Sequence, residues 1–235
     1  MASKSVPPRP APRLYLATPA VEDPASLAAS LGALCAGSDI AAVLVRLSPT
    51  DPRTMITRIK ALAPAIQSSG AALLLDGQML DDHLELVARS GADGVHATGI
   101  DAMQEAMPAL KPDRIVGVGG LATRHDSMMA GEAGADYVLF GEKDARGQRP
   151  SQEAIAERLG WWAELFEPPC VAYAASCDEA RDFVAAGADF VLVDDLVWLD
   201  ARGAAAALAE LRDTIRDAFA PASRRDKSPA EIDRA

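Results

Sequence analysis

Three stretches of one design decide the fold: SGADGVHA (90–97), AGADYVLFG (133–141) and AGADFVLVD (186–194). In each, a helical pattern runs out, a glycine closes it, Ala-Asp turns the chain, and an apolar run follows. AGSDIAAVLV (36–45) is a looser copy. The copies are unevenly spaced along the chain, which excludes a solenoid built on a fixed period.

Working outward, further short apolar runs appear at LYLAT (14–18), AAVLVRL (41–47), AALLLD (71–76), IVGVGG (115–120) and CVAYA (170–174). With GVHA (94–97), YVLFGE (137–142) and FVLVDD (190–195) they make eight. Their lengths suit strands buried on both faces, as in a parallel sheet. Helical patterns lie between them. Asp23-Pro24 opens one as cap and first-turn proline, with Leu27, Leu31 and Leu34 on one face. Ser176 and Glu179 have capping-box spacing. Ile155, Leu159, Trp162 and Phe166 form a stripe within 151–166. Strand and helix alternate eight times, which predicts a single (β/α)8 TIM barrel over residues 13–219, with an open doubly wound sheet as the alternative. The predicted buried strand residues are Leu14, Leu16, Val43, Val45, Leu73, Val95, Val116, Val138, Val171 and Val191. Residues 1–12, with four prolines, and 220–235, polar throughout, are predicted to be disordered tails.

The 235 residues are 49% hydrophobic and 24% charged, the balance of a soluble globular chain. Lys plus Arg is 23 against 34 for Asp plus Glu, a net charge of −11. That argues against a nucleic-acid partner, which needs a basic face, yet leaves room for a small phosphorylated ligand in a local pocket. No apolar run approaches the ~20 residues of a membrane span, and Met1 to Pro12 lacks a signal-peptide core. Cys35, Cys170 and Cys177 are odd in number and lack paired metal-ligand spacing. A reduced, cytoplasmic setting is expected.

In a barrel, chemistry sits at the carboxyl ends of the strands and the Gly-Ala-Asp turns lie at the opposite end, so their aspartates are expected to be structural. Arg46 ends the second run, where a guanidinium can clamp a phosphate or pair with a neighbouring carboxylate. Asp76 ends the third and Asp101 lies just beyond the fourth, so the two carboxylates can approach and share Mg²⁺ with substrate phosphates. Against this, Asp101 with Gln104 has capping-box spacing, and Asp76 opens a D-G-Q turn. His96, taken alone, fits a hydrogen-bonded structural histidine. Cys170 fits buried packing, and Cys177 either a first-turn filler or a thiol of lowered pKa. GVGG (117–120) suggests close backbone approach, and the loop GEKDARGQRP (141–150) carries Lys143, Arg146 and Arg149, either a phosphate lid or a solvated loop.

The order of these pieces over residues 13–195 resembles the thiamine phosphate synthase family, which also contains thiazole tautomerases. LYLAT, the strand with Arg46, LLLD, GADGVHATGID, GADYVLFG and PCVAYA carry the resemblance. It implies a barrel that joins a hydroxymethylpyrimidine diphosphate to a thiazole phosphate, releasing pyrophosphate, with Mg²⁺. By the resemblance, Arg46, His96 and Arg149 are catalytic. Arg46, Gly119, Arg146, Arg149 and Ala175 contact substrate, and Asp76 and Asp101 hold the metal. A homodimer is expected. The chain also departs from the family pattern. Leu44 stands for a glutamine, Ser48 for a lysine, Leu75 for an asparagine, Gly77 for an arginine, Gly119 for a serine, and Ala174-Ala175 for a Gly-Gly turn. A Thr-x-Thr-Lys loop is missing. Asp194 and Asp195 would repel a phosphate unless a metal or arginine intervenes. Three readings follow: a divergent synthase of weak or absent turnover, a thiazole phosphate isomerase, or a non-catalytic regulatory barrel that binds a phosphorylated ligand.

Overall fold

A computed structural model of the chain describes residues 9–80, 83–143 and 147–220. Eight parallel strands close on themselves in sequence order, the first pairing with both the second and the eighth. The open-sheet alternative is therefore excluded. The elements are β1 (Arg13–Val21), α1 (Pro24–Gly37), β2 (Ile40–Leu47), α2 (Pro52–Gln67), β3 (Ala72–Asp76), α3 (Glu85–Ser90), β4 (Gly94–Thr98), α4 (Ile100–Leu110), β5 (Ile115–Gly119), α5 (Arg124–Glu132), β6 (Tyr137–Phe140), α6 (Gln152–Leu165), β7 (Cys170–Tyr173), α7 (Cys177–Ala186), β8 (Phe190–Val193), α8 (Asp195–Trp198) and α9 (Ala204–Phe219). Among the described residues no helix is long and apolar enough to cross a membrane.

All ten expected strand residues are buried. Nine face the helices in one continuous core. Val171 instead joins the barrel interior with Tyr15, Ala17, Leu44, Leu74, Tyr137, Leu139 and Leu192. This division follows the two-residue period of a strand. Asp23 caps α1 by accepting from the Ala25 N–H, with a proline in its first turn. The 151–166 stripe is buried at Ile155, Leu159 and Trp162, and Phe166 stacks on Trp162 at 4.2 Å.

The Gly-Ala-Asp aspartates are structural, and all three work alike. The N–H of Asp93 donates to the Leu73 carbonyl (2.8 Å) and its Oδ2 accepts from the Leu73 N–H (2.7 Å). Asp136 clamps Val116 in the same way (2.9 and 2.7 Å), and Asp189 clamps Cys170 (2.9 and 2.8 Å). Each aspartate fixes the start of its strand to the start of the strand before it. Lys111 pairs with Asp136 at 2.6 Å, and Arg9 with Asp189 at 2.9 Å. The expected tail 1–12 thus differs from expectation at Arg9, which is held on the barrel floor by that pair and by the Gly187 carbonyl. The rest of both tails, 1–8 and 221–235, lies outside the described residues.

Candidate active site

The same alternation that buries Leu44, Leu74, Val171 and Leu192 carries the next inward positions to the carboxyl ends of their strands: Arg46, Asp76, Tyr173 and Asp194. Asp76 is in register with His96 on β4. Arg46 Nη1 donates to Asp194 Oδ2 at 3.2 Å, and its Nε lies 3.6 Å from Asp76 Oδ2. An arginine thus intervenes at the repelling carboxylate, and of the two roles open to Arg46 the structure shows the pairing with neighbouring carboxylates. Tyr173 donates to Asp194 Oδ1 at 2.9 Å. Burial, then the hydrogen bond and charge of Asp194, push the Tyr173 hydroxyl up to about 12.

His96 is buried at the centre of a hydrogen-bonded chain. Its Nε2 lies 3.3 Å from Glu142 Oε1, its Nδ1 3.0 Å from the Tyr137 hydroxyl, and Tyr137 lies 3.0 Å from the Tyr15 hydroxyl. Burial pushes the Glu142 carboxyl up, but the charge and hydrogen bond of His96, with the more distant Arg46, outweigh it and hold the group below the ordinary glutamate range. An ionised carboxylate only accepts, so Nε2 carries a proton toward Glu142, and Nδ1 meets the Tyr137 hydroxyl. Burial, then the neighbouring Tyr15 phenol, pushes the Tyr137 hydroxyl well up, so it stays protonated.

Two glycines make this arrangement possible. A Cβ on Gly117 would lie 1.9 Å from the Tyr137 ring. A Cβ on Gly119 would lie 1.8 Å from Glu142 Oε2 and 2.9 Å from His96 Nε2. The close approach expected of GVGG is therefore real, and the space left by the missing side chain at 119 is taken by the Glu142 carboxylate. Beside it, a cavity of about 390 Å³ lies between residues 120–122 and the segment after β6, bordered by Glu142, Lys143, Arg149 and Arg158.

Other expected residues are placed differently. Arg149 pairs with both Glu179 oxygens at 2.7 and 2.8 Å, donates to the Gly141 and Tyr173 carbonyls, and lies over the Tyr173 ring. Ser176 accepts from the Glu179 N–H as a cap does, but the Glu179 side chain turns to Arg149 and to the Ala175 N–H (2.8 Å) instead of completing a capping box. Ala175 therefore spends its amide within the protein. Asp101 is exposed in the first turn of α4, whose cap is Gly99, so the capping box expected with Gln104 does not form. Asp76 caps the turn Gly77–Met79 by accepting from Gln78. Arg146 lies outside the described residues. Cys170 is buried, its thiol pushed up to about 12 by burial, and burial raises Cys177 as well, so neither is an activated thiol. Among the described residues no three His, Cys, Asp or Glu side chains converge as a metal-ligand set.

Residues 14–195 match the family described as "Thiamine monophosphate synthase". The chain belongs to that family. It is 39% identical over 207 residues to a thiamine-phosphate synthase of Rhodospirillum centenum, covering 87% of this chain and 98% of that one. It is 35% identical over 213 residues to the thiamine-phosphate synthase of Hyphomonas neptunium, covering 86% and 92%. The solved thiamine phosphate pyrophosphorylase of Pyrococcus furiosus shares the barrel, with a TM-score of 0.68 at 22% identity over 88% of this chain and 96% of that one.

Several departures from the family pattern now have a physical account. Leu44 sits in the apolar barrel interior and Leu75 in the helix-facing core, so neither presents a polar group to a ligand. A Cβ on Gly77 would lie 2.9 Å from the His96 carbonyl oxygen, so an arginine there requires the backbone to move. Glu142 is the residue that sequence reasoning missed. Its signal was present in the pairing of an acid directly after β6 with a glycine at 119, two positions far apart in the chain.

Proposed function

We propose that this chain serves thiamine biosynthesis as a synthase-type barrel that joins an aminopyrimidine diphosphate to a thiazole phosphate, at reduced turnover. The observation that carries this is the meeting of Arg46, Asp76 and His96 at one barrel mouth, with Asp76 in register with His96 and 3.6 Å from Arg46. Arg46 is the cation placed to receive the diphosphate, exchanging a carboxylate partner for a phosphate. His96, held between Tyr137 at Nδ1 and Glu142 at Nε2, lies buried beneath the site.

In this reading Asp76 and Asp101 would hold a Mg²⁺ that takes its remaining ligands from diphosphate and water, since both offer hard oxygens and the ion needs only one or two carboxylates from a protein. Asp76 keeps lone pairs beyond those used by Gln78. Bound there, the metal would neutralise charge on the departing pyrophosphate. The carboxylates at 76 and 101 would hold it, and Arg46 would share the diphosphate. Arg149 acts in this reading by bracing the ends of β6 and β7 against α7, which leaves Arg146, Gly119 and Ala175 as the weaker candidates for substrate contact.

The test is a purified-protein assay with both substrates and Mg²⁺. Thiamine phosphate should form, and Arg46→Ala should abolish it. Absence of product even with enzyme in molar excess would overturn the reading. The His96–Glu142 couple favours one second reading, a thiazole phosphate isomerase. Solvent deuterium entering the thiazole phosphate without any coupling to the pyrimidine would select it.

A further inference from the structure

The Glu142 carboxylate is under-used. Oε1 lies 3.3 Å from His96 Nε2, while Oε2 is buried without a hydrogen-bond partner among the described residues. A charged carboxylate can accept about four hydrogen bonds, and an unmet buried acceptor is costly. The His96 end of the couple is sealed at 2% side-chain exposure, whereas Glu142 keeps 23% and borders the cavity. Oε2 is buried as the side chain stands, so a rotation of the Glu142 side chain has to carry it toward an occupant of the cavity.

Position 119 gives this a direction. The family pattern has a serine there, a hydroxyl that can donate. Here the space beside the Gly119 backbone holds a carboxylate, which only accepts. The polarity of that corner is reversed: a phosphate is repelled from it, and an N–H or a cation is drawn in. The rest of the cavity is opposite in character, because Lys143 is exposed on its rim and Arg158 borders it while donating to the Leu121 and Ala122 carbonyls. The cavity thus offers a cationic side and one anionic corner.

We propose that Glu142 reads the ligand's ring: its carboxylate accepts a hydrogen bond from an amino N–H, so the site selects an amino-substituted nitrogen heterocycle that also carries phosphate. The inference rests on the thiamine-pathway reading above and names a specificity residue for that site.

The experiment is calorimetric binding of the aminopyrimidine diphosphate and of its analogue with hydrogen in place of the amino group. Wild type should bind the amino compound about 10- to 100-fold more tightly, the scale of one hydrogen bond to a charged partner. Glu142→Gln should bring the two affinities within about threefold, chiefly by weakening the amino compound. If that variant does not fold, Gly119→Ala displaces the same carboxylate and should have the same effect. Equal binding of both compounds by wild type, or discrimination kept in the variants, overturns the inference and leaves the synthase reading standing. Failure of wild type to bind either compound overturns both.

Discussion

Gly119→Ser restores the residue of the family pattern, and in this chain it should be harmful. The new Cβ would lie 1.8 Å from Glu142 Oε2, 2.8 Å from its Cδ and 2.9 Å from His96 Nε2. All three are side-chain atoms, so the backbone can stay and the carboxylate must leave. His96 then loses a hydrogen bond to a charged acceptor in a buried setting, about 1.5–3 kcal/mol. Release of the partnerless Oε2 and a new serine hydroxyl near Nε2 offset part of this, so the expected cost is about 1–2 kcal/mol. In a Glu142→Ala background the same serine meets only His96 Nε2, and its cost should fall by about 0.5–1 kcal/mol, a coupling of the size seen between contacting residues. Urea unfolding of the four proteins at neutral pH measures this. Equal costs in the two backgrounds would refute the idea that glycine at 119 is there for the acid at 142.

Titration with Mg²⁺ and pyrophosphate should show each strengthening the other's binding, an effect lost in Asp76→Asn and in Asp101→Asn. Equal behaviour of wild type and both variants would remove those residues as the metal site. Synthase turnover should lie at least ~10²-fold below that of an intact family member, because one well-placed donor is typically worth ~10²–10³ in rate and the lysine, asparagine and arginine positions hold Ser48, Leu75 and Gly77. Glu142 titrates lower in the folded chain than in the unfolded one. Its stabilisation is therefore complete above the ordinary glutamate value of ~4.3 and lost as pH falls through the folded value, so acid unfolding should be less steep in Glu142→Gln. Asp136→Ala strands the Val116 N–H on the barrel floor and should cost about 1–3 kcal/mol in urea while leaving ligand affinity unchanged.

Much of this molecule is legible in its sequence because the relevant signals are local. The two-residue alternation in AAVLVRL places Leu44 and Arg46 on one side of β2, and the same count in AALLLD places Leu74 and Asp76. Asp23-Pro24 and the three Gly-Ala-Asp turns announce their roles within a few residues. What resisted reading is non-local. Arg149 looks like a free cation in a polar loop until Glu179, a helix away, takes one of its nitrogens and two carbonyls take the others. Glu179 in turn looks like half of a capping box until that arginine draws it off. Asp101 had the spacing of a cap, but Gly99 starts the helix two residues earlier. Glu142 is unremarkable in GEKDARGQRP, and only the closed barrel brings it over a glycine on the neighbouring strand.

The clamps at 93, 136 and 189 divide labour between the two ends of the barrel. Each locks a pair of strands in register from below, through both backbone hydrogen bonds and a carboxylate. Changes of length or composition in the upper loops therefore cannot propagate as a slip of the sheet. A scaffold anchored from its floor is modular: its rim can lose a phosphate-gripping loop, invert the charge of a corner or exchange a serine for a distant acid, and still present the altered residues on unchanged strand ends. Grafting a different segment onto the stems at Gly141 and Ser151 would explore new ligands without first having to solve the folding problem again.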